Sequence, residues 1–273
     1  MVCTLGFLAR RAWERQRDGN THSLAPAEES LTDYLLLDLK LKHPTRVHVR
    51  KFTKVQEGQT TGADWEWWFG NRGSWFGLRV QAKRLDVYRR AYTSLNHVVH
   101  GSGRRQIDLL LEDAARHNLY PVYCLYNWLP GKKSIPWKCP CHTDFDPHLG
   151  CSLVSAKWAE RCLQVPDLSV RAIGDQAFPW MCLLCTGTGT PRGDLAASVR
   201  GFVMQHLRQG RIQPYTAEAN APEADPDRLE DIPNLRAELP GYVEAVRGEE
   251  REGERAGTDD GPGGRIDGIM IVE

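Results

Sequence analysis

Asp64, Gln81 and Lys83 combine a carboxylate, an amide oxygen and an ammonium group on two short apolar runs joined by a turn. The first run reads Gly62-Ala63-Asp64-Trp65-Glu66-Trp67-Trp68-Phe69. The second reads Trp75-Phe76-Gly77-Leu78-Arg79-Val80-Gln81-Ala82-Lys83, with Gly70-Asn71-Arg72-Gly73-Ser74 between them. Both runs predict strands and the spacer predicts a hairpin turn. Side chains alternate across a strand, so Asp64, Glu66 and Trp68 share one face with Arg79, Gln81 and Lys83. If Arg72-Gly73 is a two-residue turn, Asn71 pairs with Ser74 and Asp64 falls opposite Gln81, with Cβ atoms about 5 Å apart.

That cluster suits metal-assisted phosphodiester hydrolysis. Mg²⁺ takes hard oxygen ligands and keeps several waters, and Mn²⁺ takes the same donors. Asp64 and the Gln81 side-chain oxygen would be ligands. Lys83 would orient or help deprotonate the attacking water and offset charge growing on the phosphorane. Glu66 is either a further ligand or only a neighbour. The competing reading is structural, because polar alternation on a half-buried hairpin is also what a solvent-facing sheet surface shows.

The flanking elements favour the chemical reading. Residues 27–37 predict a helix, with Leu31, Leu35 and Leu39 at helical spacing and Glu28 and Glu29 in its first turn. Residues 105–115 predict a second helix, and Tyr120 to Tyr126 is an apolar run of strand length. The order is helix, strands, helix, strand.

This order, with Glu in the first helix, then Gly62-x-Asp64, then Gln81-x-Lys83, resembles the PD-(D/E)xK restriction-endonuclease-like superfamily. It is most similar to the Mrr-like branch, in which Gln replaces the usual acid of the last motif. The wording Gly62-Ala63-Asp64-Trp65-Glu66-Trp67-Trp68 with Gln81-Ala82-Lys83-Arg84 is also similar to an uncharacterised bacterial family with the same signature. The resemblance covers roughly residues 24–130. It implies an α/β fold with a central mixed sheet flanked by helices, Asp64 and Gln81 as metal ligands, Lys83 as the catalytic lysine, and Glu28 or Glu29 as the helix-borne acid. No Pro precedes Asp64.

Composition agrees with a globular chain: 273 residues, 41% of them hydrophobic, can fill a sizeable core. No 18-residue apolar stretch occurs, which argues against membrane spanning. The first residues place their apolar segment before the positive charges, the wrong order for a secretory signal, so a cytoplasmic protein is expected. The net charge of zero conceals a division. Residues 1–213 hold 29 Lys and Arg against 19 Asp and Glu, and residues 214–273 hold 6 against 16. A basic body suits phosphate binding, with DNA expected over RNA. The acidic tail is either a solubilising linker or a competitor for the basic body, too polar to pack and in part disordered.

The expected organisation is an N-terminal helical segment (1–23), a nuclease-like core (24–130), a cysteine-bearing extension (131–213) and the acidic tail (214–273), whose last residues revert to a strand pattern. Eight cysteines without a secretion signal argue against a disulfide framework. Cys139, Cys141, Cys182 and Cys185 are a candidate four-thiolate Zn²⁺ site, with His142, His148 or Cys151 as substitutes. Cutting both strands of a duplex calls for two active sites, which a homodimer would supply. Two other classes stay open. One is a nucleic-acid-binding or zinc-stabilised module without chemistry, favoured if the Asp64 and Gln81 oxygens cannot share one cation. The other is a regulatory or toxin-like interaction protein working through its tail and cysteines.

Overall fold

A computed structural model describes residues 1–51, 61–71, 73–100, 103–131, 146–174, 176–185, 194–209, 232–252 and 268–273. In chain order the elements are α1 (Val2–Thr21), α2 (Glu28–Lys42), β1 (Val47–Lys51), β2 (Trp65–Asn71) and β3 (Ser74–Arg84). There follow α3 (Gln106–His117), β4 (Tyr120–Tyr126), β5 (Cys151–Ser155), α4 (Ala156–Gln164), α5 (Val170–Gly174) and β6 (Phe178–Pro179). Then come α6 (Leu195–Gln209), α7 (Gly241–Glu252) and β7 (Gly268–Val272).

The strands form one mixed sheet of seven, ordered β1-β7-β2-β3-β4-β5-β6. The fold is α/β, as expected, with helices on both faces. Trp65, Trp67, Phe76, Leu78, Val80 and Ala82 pack with residues of α1, α2 and α6 on one face. On the other, Trp68, Tyr123, Leu125, Ile269 and Ile271 pack with residues of α3, α4 and α7. The hairpin therefore has no solvent-facing side, and all but the two end residues of β3 are buried.

The hairpin register follows from the turn. Asn71 pairs with Ser74, Glu66 with Arg79 and Trp65 with Val80. Beyond Trp65 the ladder gives way to a local departure, in which the Asp64 amide donates to the Val80 carbonyl at 2.8 Å. This frees the Asp64 carboxylate to reach β3.

The sheet crosses the segment boundaries expected from composition. β5 and β6 come from residues 131–213, and β7 comes from residues 214–273 to lie between β1 and β2, antiparallel to the first and parallel to the second. The described part of the acidic segment is packed, not merely solvated, with Leu239, Val243 and Val246 buried in the core. Its apolar positions recur among the charges at helical spacing, which the average charge conceals.

Candidate functional site

Four elements converge at the carboxyl end of the parallel pair β3 and β4, where the switch in chain direction of an α/β sheet commonly leaves a ligand crevice. Asp64 stands at the entrance to β2, and Gln81 and Lys83 stand near the exit of β3. The first residues of α2 and α3, Glu28 and Gln106, complete the group.

Each helix is held there by identifiable contacts. The Thr32 hydroxyl, on the buried side of α2, hydrogen-bonds the Tyr126 hydroxyl of β4 at 2.7 Å, fixing α2 one turn below Glu28. On α3, the close approach is made possible by Gly62. Its φ is +64°, and a Cβ there would collide with the Gln106 carbonyl oxygen, so glycine is required on both grounds. The glycine two residues before Asp64 thus seats the start of α3 beside the carboxylate. Asn118 closes α3 in the left-handed conformation at φ 54°.

Oδ2 of Asp64 accepts from Nε2 of Gln81 and from the backbone amide of Ala82, each at 2.7 Å. Oε1 of Gln81 accepts from Nε2 of Gln106 at 2.8 Å. Glu28 accepts from the backbone amide of Arg84 at 2.7 Å through Oε1, and its Oε2 lies 3.9 Å from the Lys83 ammonium. Gln81 and Lys83 are only 3% and 5% exposed, so an ammonium charge is held almost out of water with a carboxylate as its counter-ion. The guanidinium of Arg84 donates to the Pro26 carbonyl at 2.8 Å, a further tie between α2 and β3. Positive ends of two helix dipoles point into this corner, an arrangement favourable to anions.

The sequence left Glu28 and Glu29 as alternatives, and Glu28 is the one that reaches β3, while Glu29 lies on the exposed side. Glu66 goes elsewhere. Its carboxylate is 1% exposed and bonded to Arg79 at 2.6 Å, to Trp68 Nε1 at 2.7 Å and to the Tyr242 hydroxyl at 2.9 and 3.0 Å. Arg79 also meets Asp113 of α3 at 2.5 Å. Glu66 is therefore a brace among β2, β3, α3 and α7, and of the two readings its position left open, these partners favour the neighbour over the ligand. The cue was present in the register, which sets Glu66 directly opposite the oppositely charged Arg79.

Two polar residues at this corner had no motif to announce them. Gln106 is one. Tyr123, paired with Gln81 across β3 and β4, is the other. The Tyr123 hydroxyl is buried, and burial together with nearby Asp64 and Asp108 pushes its pKa well above the ordinary tyrosine value.

Cys139 and Cys141 lie outside the described residues. Cys182 is buried and Cys185 half-buried at the short turn Trp180–Leu184, and none of the described cysteines is in a disulfide. Among the described residues no three His, Cys, Asp or Glu side chains group so as to hold a metal ion. The donors at the candidate site are two carboxylates and an amide. Hard oxygens of this kind suit a cation that retains much of its water, provided that the Gln81 amide turns its oxygen towards Asp64. No described helix is long and apolar enough to cross a membrane.

Comparison with known sequences adds the family but no chemistry. No curated protein matches the chain. A match across residues 4–266 shows that the chain belongs to the family described as Family of unknown function (DUF6615).

Proposed function

We propose that the chain is a metal-dependent nuclease that hydrolyses phosphodiester bonds, with DNA as its substrate. The observation that carries this reading is the meeting of Asp64 with the Gln81 amide at 2.7 Å beside the Lys83–Glu28 pair. It agrees with the resemblance to the PD-(D/E)xK superfamily, which rests on the same residues.

Asp64 and Gln81 would hold Mg²⁺ or Mn²⁺, with Glu28 as the helix-borne acid. The cation, when bound, supplies Lewis acidity towards the phosphate and raises the acidity of water. Lys83 orients the attacking water and offsets negative charge growing on the phosphorane, a role strengthened by its exclusion from solvent. Glu28 keeps the ammonium in register with that charge. The helix N-termini and the basic body draw the phosphate backbone to the corner. A homodimer in the cytoplasm acting in bacterial defence or DNA processing fits this reading.

A second reading, a nucleic-acid-binding module without chemistry, is favoured by one feature: Gln81 presents nitrogen and not oxygen to Asp64. Cleavage of circular and linear DNA, and of RNA, with Mg²⁺ or Mn²⁺ decides between them. Metal-dependent cutting lost by orders of magnitude in Asp64→Ala and Lys83→Ala supports the nuclease. Nucleic-acid binding without cutting, or cutting indifferent to both substitutions, supports the module.

A further inference from the structure

The hydrogen bond between Gln81 and Gln106 has a direction, and that direction decides which atom of Gln81 faces Asp64. Donation runs from Gln106 to Gln81 at 2.8 Å and from Gln81 to Asp64 at 2.7 Å. The atom left over at the head of this relay, Oε1 of Gln106, is buried and accepts no hydrogen bond among the described residues. The buried hydroxyl of Tyr123, which pairs with Gln81 across the two strands, also has no hydrogen-bond partner among the described residues. Burying a polar atom without a partner is unfavourable. Oε1 of Gln106 is therefore an acceptor held in reserve, able to take the N–H of a turned Gln81 amide.

That second arrangement follows from amide symmetry. A carboxamide turned by 180° fills nearly the same space with oxygen and nitrogen exchanged. If Gln81 and Gln106 both turn, the relay reverses. Oε1 of Gln81 then faces Oδ2 of Asp64 and Nε2 of Gln81 donates to Oε1 of Gln106, while Nε2 of Gln106 becomes the atom without a partner and the 3.1 Å bond from Gln81 Nε2 to the Ala82 carbonyl is given up, so the bound cation must supply the balance. Two oxygens facing each other repel without a cation and share one readily when it is present. The N–H donors of Gln81 and Ala82 satisfy Asp64 in the first arrangement.

We propose that Gln106 is a positioning residue that sets the rotation of the Gln81 amide, turning its oxygen to Asp64 when a divalent cation binds. The inference rests on the reading that Asp64 and Gln81 hold a cation. It accounts for a need peculiar to glutamine at this position. A carboxylate offers two equivalent oxygens, whereas an amide offers one and requires a neighbour to fix its orientation. Gly62 supplies the matching structural condition, because it lets the backbone of Gln106 sit against the loop that carries Asp64.

The test is a double-mutant cycle in Mn²⁺ affinity, read from the electron paramagnetic resonance signal of free Mn²⁺ with the full chain and no nucleic acid. Gln106→Met removes donor and acceptor at similar size and should weaken Mn²⁺ binding about three- to tenfold, the value of one hydrogen bond. In a Gln81→Glu background the same substitution should change affinity by less than about twofold, because the carboxylate needs no orienting partner. Gln106→Glu, which only accepts, should restore binding beside Gln81. That rescue should persist at high salt, where a long-range charge effect is screened. Equal weakening in both backgrounds, or none in either, overturns the positioning role. Mn²⁺ binding that is absent in wild type, or untouched by Asp64→Ala, removes the cation site and this inference with it. Asp64-dependent binding that obeys the cycle in a protein that cuts nothing leaves the positioning role standing and removes the nuclease.

Discussion

Oε1 of Glu28 accepts the backbone amide of Arg84 at 2.7 Å, so the first turn of α2 grips the last residue of β3. This contact separates two adjacent acids that the sequence could not. On the proposed nuclease reading, Glu28→Gln is expected to lower kcat/KM for DNA cleavage by about 10- to 100-fold, the usual cost of removing a group that orients a metal site. Glu29→Gln should stay within about twofold. Steady-state cleavage rates, with melting temperatures as the control for folding, check both.

Glu66 and Arg79 belong to the fold, and the consequence is measurable. Arg79→Met leaves two buried carboxylates, Glu66 and Asp113, without their shared guanidinium, and should cost about 3–5 kcal/mol in urea unfolding. Tyr242→Phe removes one donor to a charged group and should cost about 1.5–3 kcal/mol. Mn²⁺ affinity should be unchanged in Tyr242→Phe. A large drop there would return Glu66 to the candidate metal shell.

The thiols divide by burial. Cys124 and Cys151 lie wholly inside the sheet, where burial pushes their pKa far above the usual thiol value, and burial pushes that of Cys162 up to about 12. Each is protonated and shielded at pH 8, whereas Cys3 is exposed. Labelling with an alkylating reagent at that pH, followed by peptide mass spectrometry, should modify Cys3 well before Cys124, Cys151 and Cys162, which it reaches only under denaturing conditions.

Strand β7 completes the sheet on both of its sides. Met270 faces Val49 of β1 and Trp67 of β2, and it is fully buried. Met270→Pro removes a donor from the middle of a central strand and should abolish cooperative unfolding, read by circular dichroism. Stability within about 1 kcal/mol of wild type would contradict the central placement of β7.

Local features carried much of this site in the sequence. Alternation and a short turn set the hairpin register from Asn71 and Ser74 out to Trp65 and Val80, next to the Asp64–Gln81 contact, which itself forms where the ladder departs from regular pairing. Helical spacing of Leu31, Leu35 and Leu39 placed Glu28 and Glu29 in a first turn, but choosing between them needed the contact with Arg84. The rest depended on distant chain. That the polar face is covered by α3 and α7 is decided by Asp113 and Tyr242, which lie 34 and 163 residues beyond Arg79. Gln106 was silent because a glutamine at a helix start has no distinctive pattern. Its cue was Gly62, whose glycine makes sense only once α3 is seen against it.

The insertion of β7 between β1 and β2 also sets a timetable. Trp65, the residue after Asp64, lies beside Gly268, more than 200 positions later. On the ribosome, the edge of β2 next to the candidate site stays open until that distant stretch emerges. Closing so long a loop is slow relative to forming the hairpin itself. While those positions are being made the chain therefore carries Asp64, Gln81 and Lys83 in an unfinished sheet, and the candidate corner takes its final form only after β7 has emerged.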